Sequence, residues 1–187
     1  MAFFFFDFRD TSKQDARALL SSLIVQLSNQ SNGFYNVLLR FYSAHSRGME
    51  QPSTEALTQC LKDMLRAQEE VPIYLIIDAI DESPKTNGTP STREEVLDLM
   101  EILVKSNLPN LRLCVTSRPE VDVRISFEPL TSTLNSISIS LDSRSGQKED
   151  IADYLRSVVY SDKNMRRWRE EDKQLVVEVL SGKANGM

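Results

Sequence analysis

The chain has 187 residues, 41% of them hydrophobic, enough to bury one sizeable core. Its 22 Lys and Arg stand against 27 Asp and Glu, a net charge of -5 with no long block of one sign, which argues against a nucleic-acid partner. No stretch approaches the roughly 18 apolar residues of a membrane span, and a single histidine, His45, with two cysteines outside any C-x-x-C pair excludes a zinc-ligand set.

In chain order, Ala2 to Phe8 is short and aromatic, as a buried strand would be. Ser12 is placed to cap a helix whose apolar stripe runs through Ala16, Leu19, Leu20, Leu23, Ile24 and Leu27 and stops at Asn29 to Gly33. A second helix is predicted over 34–46, carrying His45 as a solvated or half-buried residue. A third, opened by Ser53 or Thr54, carries Leu57, Cys60, Leu61, Met64 and Leu65. Ile73 to Ile77 is continuously apolar and β-branched, the pattern of a parallel strand covered on both faces. The turn formers of 83–90 mark a loop, and Ser91 to Glu94 forms a capping box opening a helix with Val96, Leu97, Met100, Leu103 and Val104 inward.

Leu111 to Val115 is the next strand, and Ile137 to Leu141, alternating Ile with Ser, is predicted as the last. Cys60 and Cys114 both fall inside apolar patterns and are expected as buried, reduced thiols. Beyond Gly146 come two charged amphipathic helices with no strand between them. A boundary is therefore expected near residue 143, dividing an α/β core (1–142) from the start of a helical domain (143–187). A charged helical stretch from Arg166 to Glu171 places Trp168 either as a cap on the helical core or as an anchor for a partner.

The chemistry concentrates where two strands end. In open parallel sheets the ligand crevice lies beyond the carboxyl ends of the strands. Asp78, Asp81 and Glu82 follow one strand, and Thr116, Ser117 and Arg118 follow another. A carboxylate at such a point can hold Mg²⁺, an acid three or four residues on can orient a water, and an arginine can stabilise phosphate charge. The plainer alternative is that loops after strands carry acids because they are polar.

With those residues identified, IYLIIDAIDE resembles the extended Walker B segment of NACHT-type STAND nucleoside triphosphatases, and LRLCVTSRPE resembles their sensor strand. FFFFDFRD, ARALLSSLIVQL and DIADYLRSVVY are similar to the corresponding parts of fungal NACHT proteins with a nephrocystin-like amino-terminal region. The resemblance implies a parallel-sheet, P-loop NTPase-like three-layer sandwich with a helical extension. It further implies Asp78 as the magnesium-linked acid, Asp81 and Glu82 as water-orienting acids, Arg118 as the sensor arginine, and Thr116 and Ser117 on the nucleotide. Ala79 stands where the family usually has a small residue, often Gly. Arg9 is a softer candidate for the same crevice.

A P-loop needs G-x-x-x-x-G-K-[ST], and no glycine of this sequence sits in that pattern. Relative to the family, the sequence is expected to begin just after that loop and to stop before the winged-helix and repeat regions of full-length relatives. ATP and Mg²⁺, the cofactors of the intact family, are accordingly expected to bind this chain weakly or not at all, and an enzymatic activity is left open. The alternatives are a non-catalytic module for protein partners or self-association, or a decayed gene fragment. The resemblance implies a sheet order in which the strand before that loop lies between the one ending at Val115 and the one at Ile137 to Leu141, and its loss would leave sheet edges open and the fold marginal. A soluble, cytoplasmic chain is expected.

Overall fold

The computed structural model describes residues 1–68, 71–85, 90–133, 136–140 and 145–183. Three apolar runs become strands, β1 (Ala2–Phe5), β2 (Ile73–Asp78) and β3 (Leu111–Val115). They form a parallel sheet in that order, with Phe4 beside Ile77 and Ile77 beside Val115. Side chains alternate across a strand, so Ala2, Phe4, Ile73, Leu75 and Ile77 are buried together on one face. Phe3, Phe5 and Tyr74 fall on the other and are exposed. β2 is therefore covered on one face rather than on both, because the helices that share its core lie on the Phe4 and Leu75 side.

Those helices are α1 (Ala16–Ser28), α2 (Asn32–Ala44), α3 (Thr54–Arg66), α4 (Thr92–Lys105) and α5 (Val121–Thr133). Their starts follow local capping chemistry. Ser31, Ser53 and Ser91 accept the backbone N–H groups of Phe34, Ala56 and Glu94, and Glu94 returns the bond to Ser91, completing the expected box. Asp15, not Ser12, caps α1, accepting from Ala18 at 2.7 Å. Ser12 is drawn instead into a 3-10 turn, where its N–H and Oγ both donate to Asp10.

The outer edge of β1 is closed by side chains of α1. Gln26 accepts the Phe3 N–H at 3.0 Å and donates to the Phe3 carbonyl at 2.7 Å. Gln30 does the same one turn on, accepting from the Met1 amino group and donating to the Met1 carbonyl, each at 2.7 Å. Among the described residues no strand pairs with the far side of β3.

The chain forms two compact units, Met1–Ser136 and Ile137–Met187. In the second, α6 (Ser145–Ser161) and α7 (Glu170–Lys183) pack on each other, with Val159 and Val177 buried. Three expectations are corrected. Residues 137–140 are not a strand; Ile137 and Ile139 are exposed, since alternation makes a strand only where a ladder partner exists, and Leu141 lies outside the described residues. Arg166 to Arg169 lies in a bend and turn before α7 rather than in a helix, and Trp168 is partly exposed there. Cys114 is exposed because its position on β3 points to the open sheet face, whereas Cys60 is buried and burial pushes its thiol up to about 11.

Candidate functional site

Past the last ladder pair, Ile77 with Val115, two more backbone bonds hold the strand ends together. The Thr116 N–H donates to the Ile77 carbonyl at 3.0 Å, and the Ile80 N–H to the Thr116 carbonyl at 3.1 Å. Ala79 adopts the left-handed conformation, φ 57° and ψ 49°, and throws the chain into a single 3-10 turn, Ile80–Glu82. Ile80 is fully buried and roots that turn in the core, which leaves Asp81 and Glu82 at its rim.

The Thr116 hydroxyl donates to Asp78 Oδ1 and accepts the Ala79 N–H at 3.0 Å. The Asp81 carboxylate, only 9% exposed, faces the other strand end: its Oδ1 accepts the Arg118 N–H at 2.9 Å and the Ser117 hydroxyl at 3.3 Å. Its Oδ2 lies 3.6 Å from Arg118 Nε. The Arg118 side chain is 78% exposed, so this ion pair contributes little, about 0–1 kcal/mol. Glu82 turns the opposite way and accepts the Phe8 N–H at 3.2 Å, tying the loop to the exit of β1.

All six residues singled out in the sequence therefore meet at the strand ends, in two groups. Asp81, Glu82 and Arg118 line a hollow of about 340 Å³ together with Phe8, Gln14, Arg93 and Glu120, whereas Asp78, Thr116 and Ser117 lie outside its lining. Arg9 does not line it either. Its guanidinium pairs with Asp7 at 3.0 Å, and that hydrogen bond holds the Asp7 carboxyl below its ordinary value.

The residues not anticipated are Arg93, Lys85, Glu120 and Asp122. Arg93 is buried; its Nε donates to the Ser83 carbonyl at 2.8 Å and its Nη2 to the Asp81 carbonyl. Lys85 Nζ reaches Glu120 at 3.0 Å and Asp122 at 3.2 Å, and those hydrogen bonds raise the lysine above its ordinary value. Burial acts to raise Asp122, but the bonds from Lys85 and the Val123 N–H and the charges of Arg93 and Lys85 outweigh it, and the carboxyl is held below its ordinary value. A cue was present in the sequence. A basic residue in the first turn of α4 opposes the positive end of its own helix and needs acceptors nearby.

Mg²⁺ takes one or two carboxylates and keeps several waters, with phosphate completing its shell. Asp78 fits that role as a single carboxylate, with one oxygen engaged by the Thr116 hydroxyl. Among the described residues no three His, Cys, Asp or Glu side chains converge on a metal position, so Asp78 would hold the ion with water and phosphate rather than within a carboxylate cluster. The residues present do not fit the phosphates equally well. Arg118 offers one exposed cation, and the glycine pattern that wraps phosphates is not found in the sequence.

Compared with the curated proteins and with the solved structures, the chain has no match in either. The family model for Nephrocystin 3, N-terminal, matches residues 1–118, well over half of the chain, and its last matched position is Arg118, so all six site residues fall within it. The chain belongs to the nephrocystin 3 N-terminal family.

Proposed function

We propose that this chain carries the acid and sensor portion of a NACHT-type nucleoside triphosphatase of a STAND signalling switch. In this reading Asp78 holds Mg²⁺, Asp81 and Glu82 orient water, Arg118 answers to the terminal phosphate, and Thr116 and Ser117 face the nucleotide. When bound, Mg²⁺ would supply charge neutralisation for the phosphates. The supporting observation is the Asp81 bridge: one carboxylate accepts the backbone N–H of Arg118 at 2.9 Å and lies 3.6 Å from its guanidinium, which ties the water-orienting loop to the segment that bears the arginine. Arg118 is exposed enough to swing toward an anion while its backbone N–H keeps Asp81 in place. A three-layer P-loop sandwich, a cytoplasmic location, and self-association or protein partners regulated by nucleotide belong to the same reading. So do winged-helix and repeat regions in full-length relatives.

The test is paramagnetic NMR of the whole chain with Mn²⁺ and ATP. Line broadening is expected first at residues 78–82 and 116–118, only at millimolar ATP, and lost in Asp78→Asn. Broadening centred elsewhere, or indifferent to that substitution, would refute the assignment. A second reading, a non-catalytic packing module, is favoured by the open sheet face with Phe3, Phe5 and Tyr74, and it predicts no broadening at the strand ends.

A further inference from the structure

The buried Arg93 does more than its own helix explains. A guanidinium is planar, always charged and carries donors in a fixed fork. Here two prongs close on the loop after β2, Nε on the Ser83 carbonyl at 2.8 Å and Nη2 on the Asp81 carbonyl. The third, Nη1, points to the segment after β3, 3.5 Å from Asp122 Oδ2 and 3.9 Å from Glu120 Oε2. Ser83 is itself fully buried, its hydroxyl donating to the Gln14 carbonyl at 2.7 Å. The backbone that bears Asp81 is thus gripped from α4 and from the stretch leading into α1, and Arg93 carries the contact on to the start of α5.

We propose that Arg93 is the positioning residue of the acid site: its fork sets the backbone of residues 81–83 and registers that loop, through Glu120 and Asp122, against the segment that bears Arg118. The bond from the Arg118 N–H to Asp81 spans 2.9 Å, and a loop displacement of about 1 Å would remove it. The loop after β2 and the segment after β3 then move together, and a change at the start of α5 reaches the acids. This role serves the site proposed above and rests on that reading.

The test uses amide NMR of the whole chain without metal or nucleotide, so a negative result with Mn²⁺ and ATP leaves it readable. In the unmodified chain the Arg118 amide is bonded to Asp81 and is expected to exchange slowly, and Asp81→Ala to speed it. Arg93→Lys keeps the charge and loses the fork. It is expected to leave β2 amides protected from exchange while the Arg118 amide exchanges about tenfold faster. An unchanged Arg118 exchange rate in the folded variant overturns the proposal, as does an equal change at β2 and Arg118. Should Arg93→Lys not fold, the pair Glu120→Gln with Asp122→Asn decides: faster Arg118 exchange with β2 still protected supports the role, and an unchanged rate overturns it.

Discussion

Ala79 sits in a conformation that costs an L-residue with a Cβ about 1–2 kcal/mol, at φ 57°, directly between the two acids Asp78 and Asp81. Glycine would remove that strain at the expense of a freer unfolded chain, a loss of about 0.5–1 kcal/mol. Ala79→Gly is therefore expected to stabilise the chain by about 0.5–1 kcal/mol, measured as a raised urea midpoint at constant slope. A lowered midpoint would mean that the turn is not left-handed in solution. The need for a small residue at 79 was legible from the family resemblance, but its backbone conformation was not, since periodicity says nothing about a single residue between elements. The acids were legible because they follow an apolar strand at its carboxyl end, where the ligand crevice of an open parallel sheet lies. Arg93 was not, because its partners lie 10 and 29 positions away and only the fold brings them to it.

At the level of elements, α1 protects β1. Unpaired strand edges invite pairing with other chains, and Gln26, half-buried on α1, satisfies both outward groups of Phe3 as a neighbouring strand would. Gln26→Ala is expected to cost about 1 kcal/mol, since water can replace part of what the amide supplied. The Phe3 amide should exchange faster while amides in the β1 to β2 ladder do not. An unaltered Phe3 exchange rate would show that the glutamine is not holding the edge. Helices α3 and α4 were legible from apolar stripes and caps, α1 from its stripe though not from its cap, and β1 to β3 from short apolar runs. The edge role of Gln26 was hidden because a polar residue on a helix looks like a solvated one. α5 went unread because Pro129 lies inside it, where a helix loses one internal hydrogen bond yet continues. The strand expected at 137–141 failed for the opposite reason: its pattern was right, but a strand also needs a partner ladder, and periodicity cannot supply one.

For the whole molecule, the decisive asymmetry is between the two faces of one sheet. Parallel sheets are ordinarily covered on both. Here Phe4 is 6% exposed, while Phe3 and Phe5, its neighbours along β1, are 44% and 51% exposed and lean on each other with ring centroids 5.5 Å apart. Register continues that open face across the sheet, Phe3 beside Ile76, Ile76 beside Cys114, and Tyr74 beside Arg112. An apolar surface of this kind attracts dyes and other chains. The chain is expected to bind anilinonaphthalene sulfonate while folded, and Phe3→Ser with Phe5→Ser to abolish that fluorescence and raise solubility. Their stability cost should stay near the ring-pair contribution of about 0.5–1.5 kcal/mol plus partial burial. Phe4→Ala, one residue away but inside the core, should cost about 3–5 kcal/mol. Equal costs at the two kinds of position would mean that something covers the open face in solution. The dye would then stay dark in the unmodified chain, and the one-sided sheet would be the wrong description of it.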